Sequence, residues 1–96
     1  MNRSLALSLL TQHKPILAER FGVTQLALFG STVHDAADAA SDVDILVTFD
    51  GPATSQRYFG AQFYLEDLLG CPVDLVTAKA LRAELRPHIE REAVHV

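Results

Sequence analysis

Asp42-Val43-Asp44 places two carboxylates two residues apart in a run, Asp42 to Phe49, that otherwise reads apolar. On a strand, residues two apart point to the same side, roughly 6.5–7 Å from each other along the chain. Two like charges that close on a partly covered face repel one another and resist desolvation. A divalent cation removes that penalty. Metal pairs in phosphoryl and nucleotidyl transfer sit about 3.5–4 Å apart, so one such face has room for two. Mg²⁺ takes a few carboxylates and completes its shell with water and substrate phosphates. Asp74 stands inside a second apolar run, Pro72 to Thr77, with the same alternation. If the two runs are neighbouring strands, their backbones lie about 4.8 Å apart and the three carboxylates converge.

Gly30-Ser31 follows a third short apolar run, Gln25 to Phe29. A glycine lets the backbone turn sharply and lets a phosphate approach it. A helical turn opening at Ser31 offers free N–H groups to an anion, and the Ser31 hydroxyl adds a donor. Taken singly, each feature is commonplace: Gly-Ser is a frequent strand-to-helix turn, Asp-x-Asp a solvated strand edge, and a lone Asp a turn carboxylate. The combination is far more specific, because Gly-Ser, then ten residues, then Asp-x-Asp, then an Asp on a third strand are all the parts of a metal–triphosphate site.

The elements that must position these residues follow from periodicity and punctuation. Ser4 to Thr11 carries Leu5, Leu9 and Leu10 at helical spacing. Pro15 predicts a kink there or a second short helix from Lys14 to Phe21, and Gly22 is a stop signal. Gln25–Phe29 reads as a strand, and so does Asp42–Phe49, with Val43, Ile45, Val47 and Phe49 on one face and Asp42, Asp44, Leu46 and Thr48 on the other. Ser55 to Leu69 reads as a helix with a stripe of Ala61, Leu65, Leu68 and Leu69. Tyr58, Phe59, Phe63 and Tyr64 widen its apolar surface. Pro72–Thr77 is the third strand. Ala78 to Glu92 is expected to be a last helix carrying Leu81, Leu85 and Ile89, kinked or restarted at Pro87. The order α-β-(short α)-β-α-β-α predicts an α/β fold, a small mixed β-sheet flanked by helices.

With 96 residues the chain is expected to form one domain, 1–96, with a small core. Its composition, 49% hydrophobic and 21% charged, is that of an ordinary globular protein. Eight basic against twelve acidic residues give a net charge of −4, which argues against direct nucleic-acid binding. A metal-bound nucleotide remains compatible, because the metal screens phosphate charge. The single cysteine, Cys71, permits no internal disulfide and fits a reducing, cytoplasmic setting as a small half-buried residue. No apolar run is long enough to span a bilayer, and the N-terminal stretch reads as helix rather than signal peptide. His13, His88 and His95 lack metal-ligand spacing and are expected on the surface. The turn lacks the Gly-x-Gly-x-x-Gly of a dinucleotide-binding unit.

The residues Leu28-Phe29-Gly30-Ser31 and Ser41-Asp42-Val43-Asp44-Ile45-Leu46-Val47 resemble the minimal nucleotidyltransferases of the DNA polymerase β superfamily, including the ten-residue spacing from Thr32 to Ser41. Arg20-Phe21-Gly22-Val23 resembles the family's lead-in to the first strand. Val73-Asp74-Leu75-Val76-Thr77 resembles its third-strand motif, and Arg86-Pro87 through Glu92-Ala93-Val94 its ending. The resemblance implies a polymerase β-like core in which Asp42 and Asp44 bind two Mg²⁺ ions. Asp74 would be the third carboxylate, binding metal or activating the attacking hydroxyl. Gly30 and Ser31 would hold the triphosphate of ATP. It also implies an antitoxin role: transfer of AMP to a tyrosine of a HEPN-domain ribonuclease toxin, with release of pyrophosphate. One departure stands out. Where the family commonly carries Arg-Gly, this chain has His34-Asp35, which replaces a fixed phosphate-binding fork by a mostly neutral ring and a negative charge.

The rival from a different class is an antitoxin, catalytically weak or inactive, that neutralises its partner by covering it, for which the aromatic surface of Tyr58, Phe59, Phe63 and Tyr64 is suited. A small-molecule nucleotidyltransferase would need a second domain or a dimer to enclose its acceptor.

Overall fold

The structure, a computed structural model, describes residues 2–34 and 42–96; the side chains of Ser31 and His34, and all of Asp35, lie outside the described residues. Helix α1 spans Arg3–Phe21 without interruption. Its first turn is capped by the Asn2 side chain, which accepts from the Leu5 N–H at 2.8 Å. Gly22 closes it in the left-handed conformation, φ +75°. Of the two expectations at Pro15, a kink within one helix or a second short helix, the uninterrupted span sets aside the second. Pro15 lies on the solvent side, and so does Thr11, whose carbonyl loses its helical donor and is left to water. The inward residues are Ala6, Leu10 and Leu17, whereas Leu5 points outward.

Strands β1 (Val23–Phe29), β2 (Val43–Phe49), β3 (Val73–Thr77) and β4 (Val94–His95) form one sheet in the order β3-β2-β1-β4. The β2–β3 pair is parallel, and β1 runs antiparallel to both β2 and β4. The mixed sheet is therefore as expected, while β4 is an addition. It pairs Val94 with Leu28 and His95 with Ala27, and Val96 continues it by donating to the Leu26 carbonyl at 3.0 Å. Two residues are too few to show a periodicity, so nothing in the sequence announced this strand.

Alternation divides the sheet into two unlike faces. Leu26, Leu28, Val43, Ile45, Val47, Val73 and Leu75 share one face and form a single cluster with Leu10 and Leu17 of α1 and Ala61 and Leu65 of α2 (Ser55–Leu69). The opposite face carries the row Phe29–Asp44–Asp74, one residue from each of three adjacent strands. Helix α2 is capped by Thr54, whose hydroxyl accepts from the Arg57 N–H, and ends at Gly70.

Strand β3 is an edge, and α2 closes it. The Tyr58 hydroxyl donates to the Leu75 carbonyl, Gln62 Nε2 donates to the Val73 carbonyl at 3.1 Å, and Glu66 Oε2 accepts from the Val73 N–H at 3.1 Å. These three residues lie four apart on one face of the helix, and the backbone groups they satisfy are those an edge strand leaves open. Tyr58, expected as surplus apolar surface, thus has a polar task. Tyr64 is half-buried and shares a 2.6 Å hydrogen bond with His13 Nδ1, so His13 is not a plain surface residue. Cys71 is half-buried against the core, and burial pushes its thiol pKa up.

Of the helix expected over Ala78 to Glu92, kinked or restarted at Pro87, only the restarted part is present: Ala78–Ala80 is a 3₁₀ turn, a turn follows, and a short helix α3 spans Arg86–Glu92. Pro87 stands in the first turn of α3, the place where a missing N–H costs nothing. Leu81, Leu85 and Ile89 imitate an amphipathic stripe, but α3 has no buried residue and Leu85 is exposed.

Candidate active site

Register alone brings the acidic residues together. Asp44 and Asp74 occupy paired positions on parallel neighbours, so their side chains emerge side by side on the same face. Asp44 is half-buried, whereas Asp74 and Asp42 are exposed. Asp42 immediately precedes β2 on the same side, at the rim. Asp44 is also the partner of Phe29 across β1, so the chain that leaves β1 at Gly30 passes directly over its carboxylate.

Gly30 has φ +77°, in the left-handed region, and opens a 3₁₀ turn at Gly30–His34. A Cβ at this position would stand 2.1 Å from Asp44 Oδ2. No side chain fits there while Asp44 stays in place. The sequence motif is therefore a packing relation: the glycine is absent of side chain because the carboxylate occupies that volume. Ser31, the second nucleotide-binding expectation, follows it in the turn; its side chain lies outside the described residues.

Crowding raises the pKa of Asp44 above the ordinary carboxylate range. Burial is the largest cause, followed by the charge of Asp74, the hydrogen bond the two carboxyl groups share, and the charge of Asp42. The cluster is thus a site that resists its own negative charge, the condition that a cation relieves. The donors are all carboxylate oxygens, a set suited to a hard cation such as Mg²⁺. Among the described residues no group of three or more His, Cys, Asp or Glu side chains is gathered to hold a metal ion; the register brings Asp44 and Asp74 together as a pair, with Asp42 at the rim.

One residue of this region was not legible beforehand. Thr32, in the turn after Gly30, is fully buried, and its Oγ1 has no hydrogen-bond partner among the described residues. A hydroxyl in the middle of Gly-Ser-Thr-Val gives no sign in the sequence that it will face inward.

The fold and the acidic row define a nucleotidyltransferase core, and comparison with known proteins agrees. The profile of the nucleotidyltransferase domain family matches residues 10–95. The chain belongs to that family. It is 44% identical over 89 residues to the protein adenylyltransferase MntA of Thermococcus cleftensis, covering 93% of this chain and 90% of that one. A solved structure described as a minimal nucleotidyltransferase superposes with a TM-score of 0.78 at 31% identity, covering 98% of this chain and 95% of the other. A chain from the complex of a tri-AMPylated Shewanella oneidensis HEPN toxin with its MNT antitoxin shares the fold, with a TM-score of 0.60 at 20% identity, covering 98% of this chain and 67% of that chain. Among the described residues no helix is long and apolar enough to cross a membrane.

Proposed function

We propose that this protein is the antitoxin of a toxin–antitoxin pair and transfers AMP from Mg-ATP to a tyrosine hydroxyl of a HEPN-type ribonuclease toxin. The observation that carries the reading is the row itself: Asp44 paired with Asp74, with Gly30 packed against the Asp44 carboxylate. The relative named as a protein adenylyltransferase supports the reaction, and the AMPylated HEPN complex supports the class of partner.

In this reading Asp42, Asp44 and Asp74 hold Mg²⁺, which when bound neutralises charge on the phosphates and on the attacking and leaving oxygens. The backbone at Gly30 and Ser31 holds the triphosphate. The Asp74 carboxylate, exposed on the open face, takes the proton of the tyrosine hydroxyl. The phenolic oxygen forms a bond to the α-phosphorus, the bond to the β-phosphate oxygen breaks, and pyrophosphate leaves. The half-buried Asp44, whose pKa is raised by burial and by its acidic neighbours, would favour its ionised form once a bound cation offset that crowding.

The test is intact-mass measurement of both chains after mixing with Mg-ATP. The toxin is expected to gain whole adenylyl units, at a rate reduced at least about 100-fold by Asp74→Asn. Unchanged masses in a stable complex would reject transfer for that pair and leave an antitoxin that acts by binding. His34-Asp35 in place of Arg-Gly is the sequence feature that favours that second reading.

A further inference from the structure

The outer face of α2 exposes two adjacent aromatic side chains, Phe59 and Phe63. Gln56, Phe59, Phe63 and Asp67 are exposed at spacings of three, four and four, so they form one stripe along the helix. Phe59 is 49% exposed and Phe63 60% exposed, and their rings stack on each other with centroids 6.3 Å apart. The two ends of the stripe are opposite in character. Gln56 lines a cleft of about 300 Å³ together with Arg20 and Arg57. The Arg20 guanidinium lies over the rings of Phe21 and Tyr64, 5.1 and 5.4 Å from their centroids, which holds its plane fixed. The other end carries Asp67. Neither Arg20 nor Asp67 has an ion-pair partner among the described residues.

We infer that this face is the contact of a symmetric homodimer in which α2 packs antiparallel against α2 of a second copy. The stripe is complementary to itself in that arrangement. Phe59 with Phe63, and Gln56 with Asp67, are both centred at the level of Ala61. A twofold axis there sets Phe59 on the partner copy's Phe63 and carries each Asp67 to the Gln56 end of the other helix. Each Asp67 then meets Arg20 in that cleft, where Arg57 is already paired with Asp50 at 2.7 Å, and the positive N-terminal end of the facing α2. The apolar pair sits at the centre and the charges at the rim, the usual layout of a specific contact.

The position of the face favours a second copy over the acceptor protein. Helix α2 packs on the sheet face that carries Ile45 and Leu75, whereas Asp44 and Asp74 project from the opposite face. A dimer through α2 therefore leaves both acidic rows open, while an acceptor seated on α2 would be on the wrong side of the sheet for its hydroxyl to reach them.

Sedimentation velocity over roughly 1–300 µM, a range suited to a contact as small as one helix pair, tests the inference. The wild-type chain is expected to pass from monomer to dimer with concentration. Phe63→Glu should weaken the dimer at least about 30-fold, as loss of a central aromatic contact does, with the far-UV circular dichroism unchanged. Asp67→Arg should also weaken it, and adding Arg20→Glu to Asp67→Arg should restore association by re-forming the pair with reversed sign. A wild type that stays monomeric throughout, or a Phe63→Glu chain that still dimerises, overturns the inference. A charge-reversed double variant that stays monomeric overturns the antiparallel arrangement. If the wild type is monomeric and Phe63→Glu instead loses the toxin, the face belongs to the acceptor.

Discussion

The two faces of the one sheet are built to opposite rules. On the helix-covered face the strands carry an apolar, buried row, Leu26, Leu28, Val43, Ile45, Val47, Val73 and Leu75, that packs with α1 and α2. On the other, the row across β1, β2 and β3 reads Phe29, Asp44, Asp74, with Asp42 at its rim and, in the adjoining turn, a fully buried Thr32 hydroxyl without a partner among the described residues. The first face supplies the folding free energy and the second spends part of it. A strand with period two is the means: β2 carries Ile45 on one side and Asp44 on the other, so a single seven-residue segment serves both faces.

The sharpest way to break the contrast is to cut each face and compare. Ile45→Ala should cost about 3 kcal/mol in urea unfolding, the figure for a fully buried aliphatic side chain. Transfer activity of the fraction that stays folded should be kept. The reverse result, full stability with lost activity, would show that the two faces are not separate in function.

Gly30→Ala joins the faces, since it strains the backbone and strikes the carboxylate together. A left-handed φ alone costs an L-residue about 1–2 kcal/mol. The collision with Asp44 adds to that. In an Asp44→Ala background the same change should cost at least about 1 kcal/mol less, because the nearest obstacles, Oδ2 at 2.1 Å and Cγ at 2.9 Å, are removed and only the Cβ at 3.1 Å stays. Equal costs in both backgrounds would show that Asp44 does not set the need for glycine.

Thr32→Val should stabilise the chain by about 1 kcal/mol, since it removes a buried hydroxyl without a partner among the described residues and keeps the shape. A destabilised variant would mean that the hydroxyl is satisfied in solution.

The smallest effect concerns Asp44, which keeps some contact with water. Its folded pKa is raised, so the native state holds the proton more tightly than the unfolded chain does. Its contribution is therefore complete below the ordinary carboxylate range and is lost as pH rises through the higher folded pKa. Asp44→Asn has no such loss. The thermal midpoint of the variant is expected to exceed that of the metal-free wild type at pH 7, and the gap should close toward pH 4. Added Mg²⁺ should raise the midpoint of the wild type and not that of the variant. A variant less stable than wild type at pH 7 would contradict the crowding.

How much of this was readable follows from what each feature depends on. The β2 strand and the facing of Asp42 and Asp44 were legible, because alternation over seven residues is a strong local signal. That Asp74 stands beside Asp44 was a conditional reading, since strand adjacency and register are properties of the whole sheet. Strand β4 was invisible at two residues. The C-terminal helix was overread before Pro87: Leu81, Leu85 and Ile89 have helical spacing, but no core lies beneath them, whereas of the two effects expected of Pro87, a kink or a restart, the restart is present. Pro15 left one helix or two open, because its exposure, which decides whether water can replace the lost bond, is not a local property. The aromatic excess of α2 resolved into two tasks that composition cannot separate, since Tyr58 and Tyr64 make hydrogen bonds and Phe59 and Phe63 stay open.

The row of Tyr58, Gln62 and Glu66 along β3 also gives the architecture a direction of growth. With the Val73 N–H and the Val73 and Leu75 carbonyls on its outer side already taken by α2, β3 is a poor edge for a fifth strand, whether from another chain or from an extension of its own. Enlargement of this sheet is easier beyond β4, the edge remote from the acidic pair. The chain can therefore acquire new segments without rebuilding the place where Asp44 and Asp74 meet.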